Sequence, residues 1–404
     1  MNSEERLFMY ELLPKEESKN RIDKFLNMMD ENGEWDNVII INRVHQYYFT
    51  GTMQDALLIF NSKSRKPYLF VRRDYDRAKD EAVIEEVHKI KSYGGILKFF
   101  GSDLGVTYIE MSQMSMLVMN RIKKYFDIEK LYDADSILER LLSVKSEYEL
   151  ECIRKCGEIH GHILDEIVPK FLKEGISERE FQGELYNEFI KAGSHGLLRF
   201  YNPYNEGLIG QFGFGVNSLY NTNHDGPGGM KGLSSVIPIA GSDDKLKAGE
   251  LVFVDTSPIY KGYQTDKAQI YNFKGNVSNE ERELHHECME ILEKVSKLLT
   301  VGNIPSDIYN EVINNISDDL KKNFMGYRDR KVSFLGHGLG LFLDGYPVIA
   351  NGFDEPLKEN MVIAIEPKYG VENRGVVGVE ESFIVTPKGG ECVTGGARDI
   401  IDIS

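Results

Sequence analysis

The fold-determining stretch of this chain is LVFVDTSPIYKGYQTDKAQIY, residues 251–271. Its two halves have the pattern of neighbouring antiparallel strands joined by a turn near Lys261 and Gly262. Asp255 ends the apolar run of the first half, and Asp266 stands 11 positions later (266 − 255 = 11) in the second. The hairpin therefore brings two carboxylates together. Taken alone, Asp266 fits a solvated hairpin, but paired buried carboxylates repel each other and call for a cation.

Two more acidic residues stand at or near the ends of apolar runs. Glu366 closes MVIAIE (residues 361–366), and Glu380 lies within GVVGVEESFIV (residues 375–385). Each alone fits an edge strand at the surface, whereas four such acids favour a shared metal site. His337, in FLGHGLG, adds an imidazole between glycines that let backbone approach an ion closely. Carboxylates with one imidazole suit Mn²⁺, Fe²⁺, Co²⁺ or Zn²⁺.

Other common sites match the sequence poorly. The glycines around His337 fit a nucleotide loop, but the required strand-to-helix turn and later acidic residue do not. No G-x-S-x-G sequence, the commonest serine-hydrolase signal, is present. His285 and His286 lie in a charged helix, where a solvated face is expected. A two-metal hydrolase site is therefore the expected chemistry.

Length and charge narrow the class of protein. A chain of 404 residues is too long for one ordinary core, which predicts two domains. Lys and Arg number 48 and Asp and Glu 64, so the net charge of −16 disfavours nucleic acid and anionic membrane surfaces as partners. The sequence shows neither a bilayer-spanning apolar run nor the features of a secretion signal. We therefore expect a cytoplasmic protein.

Residues 1–140 are expected to form a small α/β domain. RIDKFLNMMDENG, residues 21–33, carries an apolar stripe at helical spacing. DALLIF (residues 55–60) and KPYLFV (residues 66–71) predict a hairpin, followed by a charged helix over roughly residues 75–90.

Residues 141–404 are expected to form a second domain in which two helices precede a curved antiparallel sheet. Ser146 with Glu149, and Ser177 with Glu180, have the spacing of capping boxes at helix starts. Glycines and short strands dominate the later part, and every candidate site residue lies there or in the adjoining loops.

The order D…D…H-G-x-G…E-P…E resembles the pita-bread metallopeptidases, which include methionine aminopeptidase, Xaa-Pro aminopeptidase, prolidase and creatinase. VIIINRVHQYYFTG (residues 38–51) is similar to the amino-terminal domain of the prolidase and creatinase branch, and VKSEYELECIRKCGEI (residues 144–159) to the first helix of its catalytic domain. The resemblance covers nearly the whole chain. It implies an α/β (α+β) fold with a creatinase/prolidase-like amino-terminal domain, a pita-bread catalytic domain and a homodimer.

The resemblance also implies roles for individual residues. His224, in NTNHDGPGG, is expected to act in catalysis by holding the substrate or the tetrahedral intermediate. Glu366 is expected to take the proton from the attacking water as well as to bind metal. Apart from the resemblance, the guanidinium of Arg199, in LLRFYNPYN, makes it a candidate anion clamp for the substrate. The expected ligands of two divalent ions (Mn, Co, Zn or Fe) are Asp255, Asp266, His337, Glu366 and Glu380.

Two positions depart from the peptidase pattern. Asp344 replaces a second histidine seven residues after His337, and Gly378 replaces an arginine two residues before Glu380. An ionised aspartate only accepts hydrogen bonds, so Asp344 disfavours a substrate carbonyl and favours an amine or amidine. The alternative is a structural residue at the turn that follows.

These features predict a metal-dependent hydrolase of the Xaa-Pro peptidase type that cleaves a small peptide or amide with metal-activated water. A creatinase-like hydrolase or lyase acting on a small non-peptide compound is the first alternative, favoured by the loss of the second histidine. A metal-binding non-catalytic relative is the second, but such relatives typically lack some of the ligands.

Overall fold

The computed structural model describes residues 11–404, and the chain divides after Leu141 into two compact units. Among the described residues, no helix combines the length and apolar character needed to cross a membrane. The two units are described in turn.

The first unit contains a six-stranded mixed sheet with helices around it. The strand order is β4-β3-β2-β1-β5-β6, and the pairs β1–β2 and β2–β3 are antiparallel. The remaining pairs are parallel. The helices are α1 (Lys15–Asn32), α2 (Arg43–Thr50), α3 (Tyr75–Glu81), α4 (Leu97–Phe100), α5 (Met116–Lys123) and α6 (Asp135–Ser143), which runs across the unit boundary. The strands are β1 (Asn37–Ile40), β2 (Ala56–Asn61), β3 (Lys66–Val71), β4 (Val87–Lys89), β5 (Val106–Ile109) and β6 (Lys130–Asp133).

The hairpin predicted at residues 55–71 is confirmed as β2–β3, and its apolar side chains are buried. The charged helix predicted over roughly residues 75–90 is wrong in its extent, because α3 ends at Glu81. Residues 87–89 instead form β4, which pairs in parallel with β3. An unpaired sheet edge offers hydrogen bonds that override a weak helical pattern.

The second unit is built on antiparallel strands flanked by helices. Its helices are α7 (Glu147–His162), a π-helical turn (Ile163–Ile167), α8 (Val168–Phe171), α9 (Glu178–Lys191), α10 (Asn279–Leu298) and α11 (Pro305–Ile313), with short 3₁₀ turns at Gly215–Leu219 and Leu320–Lys322. The strands are β7 (Gly210–Phe214), β8 (Leu251–Thr256), β9 (Ile259–Tyr260), β10 (Tyr263–Gln264), β11 (Lys267–Phe273), β12 (Gly326–Tyr327), β13 (Arg330–Lys331), β14 (Phe334–Gly338), β15 (Gly345–Ala350), β16 (Val362–Ile365), β17 (Lys368–Val371), β18 (Gly375–Gly378), β19 (Glu381–Thr386), β20 (Gly389–Cys392) and β21 (Ile401–Ile403).

Two sheets carry the architecture of this unit. One has the order β21-β11-β8-β7, and the other has the order β15-β14-β16-β19-β20. A β-bridge between Ala268 and Glu380 joins a residue of the first sheet to the chain just before β19. The two capping boxes predicted at Ser146 and Ser177 are confirmed at the starts of α7 and α9.

Apolar side chains pack on both sheets. Residues of α10 and α11, among them Leu292 and Val295, pack with the inner residues of the five-stranded sheet in one cluster. Residues of α7–α9, among them Leu164 and Phe181, pack with β7, β8 and β11 in another. Burial of this apolar surface is the main favourable contribution to folding, and it fixes where the strands end.

His160 of α7 bridges the two arms of the Asp255–Asp266 hairpin through its two ring nitrogens. Its ring nitrogens lie 2.9 Å from Thr256 Oγ1 and 3.1 Å from Thr265 Oγ1, each hydroxyl next to one of the aspartates. Burial and the nearby Lys267 charge hold the pKa of His160 well below its ordinary value. The folded chain therefore keeps this imidazole neutral.

This neutrality predicts a pH-dependent stability. Below about pH 6.5 the unfolded chain binds a proton at His160 that the folded chain excludes, so its contribution declines by up to about 1.4 kcal/mol per pH unit as pH falls. The free energy of unfolding, measured by denaturant titration between pH 7.5 and 5.5, should therefore fall more steeply for wild type than for His160→Gln. The exposed His162 provides the control, since His162→Gln should keep the wild-type slope. Parallel curves for wild type and His160→Gln would contradict the assignment.

Candidate metal centre

The hairpin predicted at residues 251–271 forms and places its two aspartates together. Strands β8 and β11 pair antiparallel, with Asp255 opposite Ala268, and Asp266 directly precedes β11. Ser382 fixes the Asp266 backbone in both directions. Its hydroxyl accepts from the Asp266 amide at 2.8 Å and donates to the Asp266 carbonyl oxygen at 2.8 Å.

The other three predicted ligands come from the five-stranded sheet and its edges. His337 lies in β14, opposite Ala364 of β16. Glu366 follows β16 directly, and its amide donates to the Leu335 carbonyl oxygen at 3.0 Å. Glu380 lies in the short connection between β18 and β19.

All five side chains line one cavity. It opens to solvent and has an empty volume of about 550 Å³. Leu198, Phe200, Met230 and Leu343 contribute apolar wall, and the ligand atoms of the five predicted side chains lie close to one another. A concave site with apolar walls and a few convergent polar groups is the usual form of a small-molecule site.

The ligand atoms form two clusters that share Glu380. The first, called here the histidine cluster, consists of Asp266, His337 and Glu380, and the second, called the lysine cluster, consists of Asp255, Glu366 and Glu380. Within each cluster the potential ligand atoms all lie within 4.8 Å of one another. A shared carboxylate is the arrangement by which two neighbouring ions are bridged.

The spacing around His337 fits a divalent ion. His337 Nε2 lies 3.8 Å from Asp266 Oδ2 and 3.5 Å from Glu366 Oε1, too far for good hydrogen bonds. Ligand atoms that each stand about 2.0–2.2 Å from one ion are separated from one another by roughly 3–4 Å. Asp266, His337 and Glu366 therefore have the donor types and the spacing that such an ion requires.

The buried carboxylates of the site are electrostatically strained. Burial, and then the charge of Asp255, raise the pKa of Asp266 well above its ordinary range. Burial, followed by the charges of Asp255 and Asp266, likewise raises the pKa of Glu380. Desolvation and mutual repulsion both disfavour the ionised forms, and cations reverse both effects.

A lysine that the sequence analysis did not consider lies among these carboxylates. Lys368 donates to the three members of the lysine cluster, at 2.7 Å to Asp255 Oδ2, 3.0 Å to Glu366 Oε2 and 2.6 Å to Glu380 Oε2. Burial alone would lower the pKa of Lys368, but the three carboxylates outweigh it and raise that pKa. The side chain is therefore an ammonium ion.

A buried ion pair between Lys267 and Glu381 lies on the opposite face of the strands from this site. Lys267 and Glu381 directly follow Asp266 and Glu380, so their side chains point to the opposite face. There Lys267 Nζ lies 2.6 Å from Glu381 Oε1, and both side chains are buried. Asp266 and Glu380 thus face the candidate metal site, whereas Lys267 and Glu381 neutralise each other on the opposite face.

The three remaining predicted site residues, His224, Asp344 and Arg199, differ in their positions relative to the cavity. His224 lines the cavity, and Arg330 holds its backbone by donating to the His224 carbonyl oxygen at 2.5 Å. Asp344 faces His337, with 3.7 Å between Oδ1 and Nε2. Arg199 does not line the cavity, although its neighbours on both sides do, because successive residues of an extended chain face opposite sides. The anion clamp at Arg199 stays a prediction, since its side chain is not among those that line this cavity.

Two residues near the ligands have positions that the sequence did not predict. Lys368 stands two positions after Glu366, and alternation in an extended chain was the signal that both share a face. His285, expected on a solvated helix face, is buried and accepts from the Gly378 amide at 3.1 Å. It thereby fixes the strand that leads to Glu380, whereas the adjacent His286 is exposed as expected.

Residues 151–387 match the model of metallopeptidase family M24, and residues 21–143 match the creatinase/prolidase N-terminal domain. The fold and these matches define a metal-dependent peptidase. The chain belongs to metallopeptidase family M24. The family, the two-domain α/β fold and the class of enzyme predicted from the sequence are thereby confirmed. Peptidases of this family bind two divalent metal ions, and the two clusters offer suitable ligands.

Similar proteins extend over nearly the full chain. A Xaa-Pro dipeptidase from Pyrococcus furiosus is 24% identical over 388 residues, which cover 95% of this chain and 100% of that protein. The solved prolidase of Pyrococcus horikoshii OT3 has a TM-score of 0.76 at 22% identity, covering 95% of this chain and 100% of that one. A solved dipeptidase from Mycobacterium ulcerans has a TM-score of 0.79 at 17% identity, covering 97% and 100%. These structures share the fold.

Proposed function

We propose that residues 141–404 form the catalytic domain of a Xaa-Pro peptidase-type hydrolase that cleaves a small peptide or amide. The observation that carries the proposal is the convergence of five ligand-type side chains on one cavity in a family M24 chain. The Xaa-Pro dipeptidase from Pyrococcus furiosus, which matches this chain along its whole length, supports the substrate class.

The five side chains that would hold the metal are Asp255, Asp266, His337, Glu366 and Glu380, with Glu380 shared between the two clusters. Two bound divalent ions would lower the pKa of a water molecule toward neutrality and polarise the scissile carbonyl. Mn²⁺, Fe²⁺, Co²⁺ and Zn²⁺ all suit this mixture of oxygen ligands and one imidazole.

Glu366 takes the proton of the attacking water in this proposal. Its side chain is buried in the cavity wall, where a carboxylate can accept the proton and return it to the leaving nitrogen. His224 lines the same cavity and can donate a hydrogen bond to the substrate or to the negative charge that develops on the carbonyl oxygen. The ring of Phe200 packs against the imidazole of His224, with 5.4 Å between the ring centroids.

Asp344 favours a cationic substrate, which supports the second candidate function. Its carboxylate stands beside His337 and accepts hydrogen bonds without donating any. A small non-peptide amide or amidine with a positive group would interact better with this carboxylate than a neutral carbonyl would. A creatinase-like reaction on such a compound is therefore the alternative.

Metal analysis tests the proposal directly. Protein stripped with a chelator should bind close to two equivalents of Mn²⁺ per chain, measured by elemental analysis after equilibrium dialysis against excess Mn²⁺. Asp266→Asn and Glu380→Gln each remove a ligand and should lower this content, and Glu366→Gln should reduce turnover of Xaa-Pro dipeptides by about 10²-fold or more. Glu391→Gln, an exposed change in the same sheet, should leave both unchanged. Absence of any bound metal in wild type would refute the proposal.

Kinetics of Asp344 variants separate the two substrate classes. We expect slow turnover of ordinary Xaa-Pro dipeptides by wild type and an increase of about 10²–10³-fold in Asp344→His, the amount that one oxyanion donor contributes. Small amides bearing an amine or amidine should show the opposite order, with Asp344→Asn worse than wild type. Wild-type rates equal to those of ordinary prolidases, together with no effect of Asp344→Asn, would reduce Asp344 to a structural turn residue.

We also propose a cytoplasmic homodimer. All four cysteines are free thiols, as a reducing compartment favours. The match to the creatinase/prolidase N-terminal domain supports the dimer, because that domain has no metal cluster among its described residues. Sedimentation equilibrium should give twice the chain mass at micromolar concentration, and a stable monomer would contradict the dimer.

A further inference from the structure

The side chain of Lys368 lies where one of the two ions would bind. It is only 1% exposed, and its ammonium nitrogen is within hydrogen-bond distance of every member of the lysine cluster. Lys368 begins β17 two residues after Glu366, so both side chains point to the same side of the extended chain. Across the β17–β18 ribbon it pairs with Gly378, which has no side chain to compete for the space.

An ion and this ammonium cannot occupy the lysine cluster together. A divalent ion bound by all three carboxylates would stand about 2.0–2.2 Å from each oxygen, in the volume that the Lys368 nitrogen fills. Two positive charges at such separation also repel strongly in a buried site. Entry of an ion therefore requires withdrawal of the Lys368 side chain from the three carboxylates.

Among the three members of the histidine cluster, Lys368 contacts the shared Glu380 and not Asp266 or His337. Within residues 11–404, Asp266 forms no ion pair with any lysine or arginine, and its salt-bridge partner within 4 Å is His337. A neutral imidazole is itself a metal ligand and need not be displaced. An incoming ion must therefore displace the Lys368 ammonium from the lysine cluster, whereas His337 stays in place as a ligand of the histidine cluster.

We propose that Lys368 is a built-in competitor for one of the two metal positions, so that the histidine cluster loads first and the lysine cluster loads only when Lys368 withdraws. This inference rests on the proposed two-metal site and concerns the order and affinity of its loading. When a binding-competent state is populated at about 0.1–10%, apparent affinity falls by the same fraction. The second ion should therefore bind about 10- to 1,000-fold more weakly than it would without the lysine.

Calorimetric titration of the chelator-stripped full chain with Mn²⁺ alone tests this order. Wild type should bind one equivalent tightly and a second at least about tenfold more weakly. Lys368→Met keeps much of the side-chain volume but removes the charge, so its second affinity should rise by about tenfold or more. Lys267→Met is the matched control, because it removes an equally buried lysine on the opposite face and should leave the ratio of the two affinities unchanged.

A measurement on wild type alone keeps the inference testable if a variant fails to fold. Labelling with an amine-reactive reagent, read by mass spectrometry, should show Lys368 protected up to one equivalent of Mn²⁺ and more reactive as the second binds. Two equally tight wild-type sites, or a second ion that leaves Lys368 labelling unchanged, would overturn the competition while leaving the metal site intact. No Mn²⁺ binding by wild type or Lys368→Met would overturn both this inference and the proposed function.

Discussion

Repulsion among buried carboxylates is the constraint on which this site depends. The four ligand carboxylates lie close together in a single cavity, and burial makes an ionised group costly unless a positive charge stands near it. The sheets supply the energy that holds them there. The apolar strands on either side bury enough surface to stabilise the fold while their polar ends lie close together. The repulsion among the carboxylates is therefore concentrated at the site. Such a site has a strong intrinsic demand for cations.

The alternation of side chains along the strands determines which acidic residues face the cavity and need a cation. Asp266 and Glu380 point into the cavity, whereas the next residue of each segment points away and completes an ion pair with its counterpart. Ser382 and His285 then fix the backbone around the ligands by accepting amide hydrogens. The geometry of the centre is thus held by neighbours that offer no ligand themselves, as is usual for metal sites.

Patterns along the chain predicted much of this arrangement, because acids at the ends of apolar strands and helix-capping boxes are local signals. The hairpin of β8 and β11 and both capping boxes follow from them. What depends on distant pairing could not be read in the same way. Residues 87–89 form a strand because a sheet edge is available, and His285 is buried because a strand lies against its helix. The position of Lys368 could not be predicted for a different reason, since a lysine is not a usual metal ligand and its burial depends on carboxylates from other strands.

The two unusual charges of the site, Asp344 and Lys368, offset each other. With Lys368 in place, the four ligand carboxylates and the ammonium carry a formal charge of −4 + 1 = −3, and Asp344 beside His337 restores the count to −4. Entry of a second ion replaces the ammonium in the lysine cluster, so the two cations exchange there rather than add. Asp344 stands beside His337, whereas Lys368 stands in the other cluster, so the added negative charge and the positive charge act on different clusters. The extra negative charge strengthens the histidine cluster, and the positive charge weakens the affinity of the lysine cluster for metal.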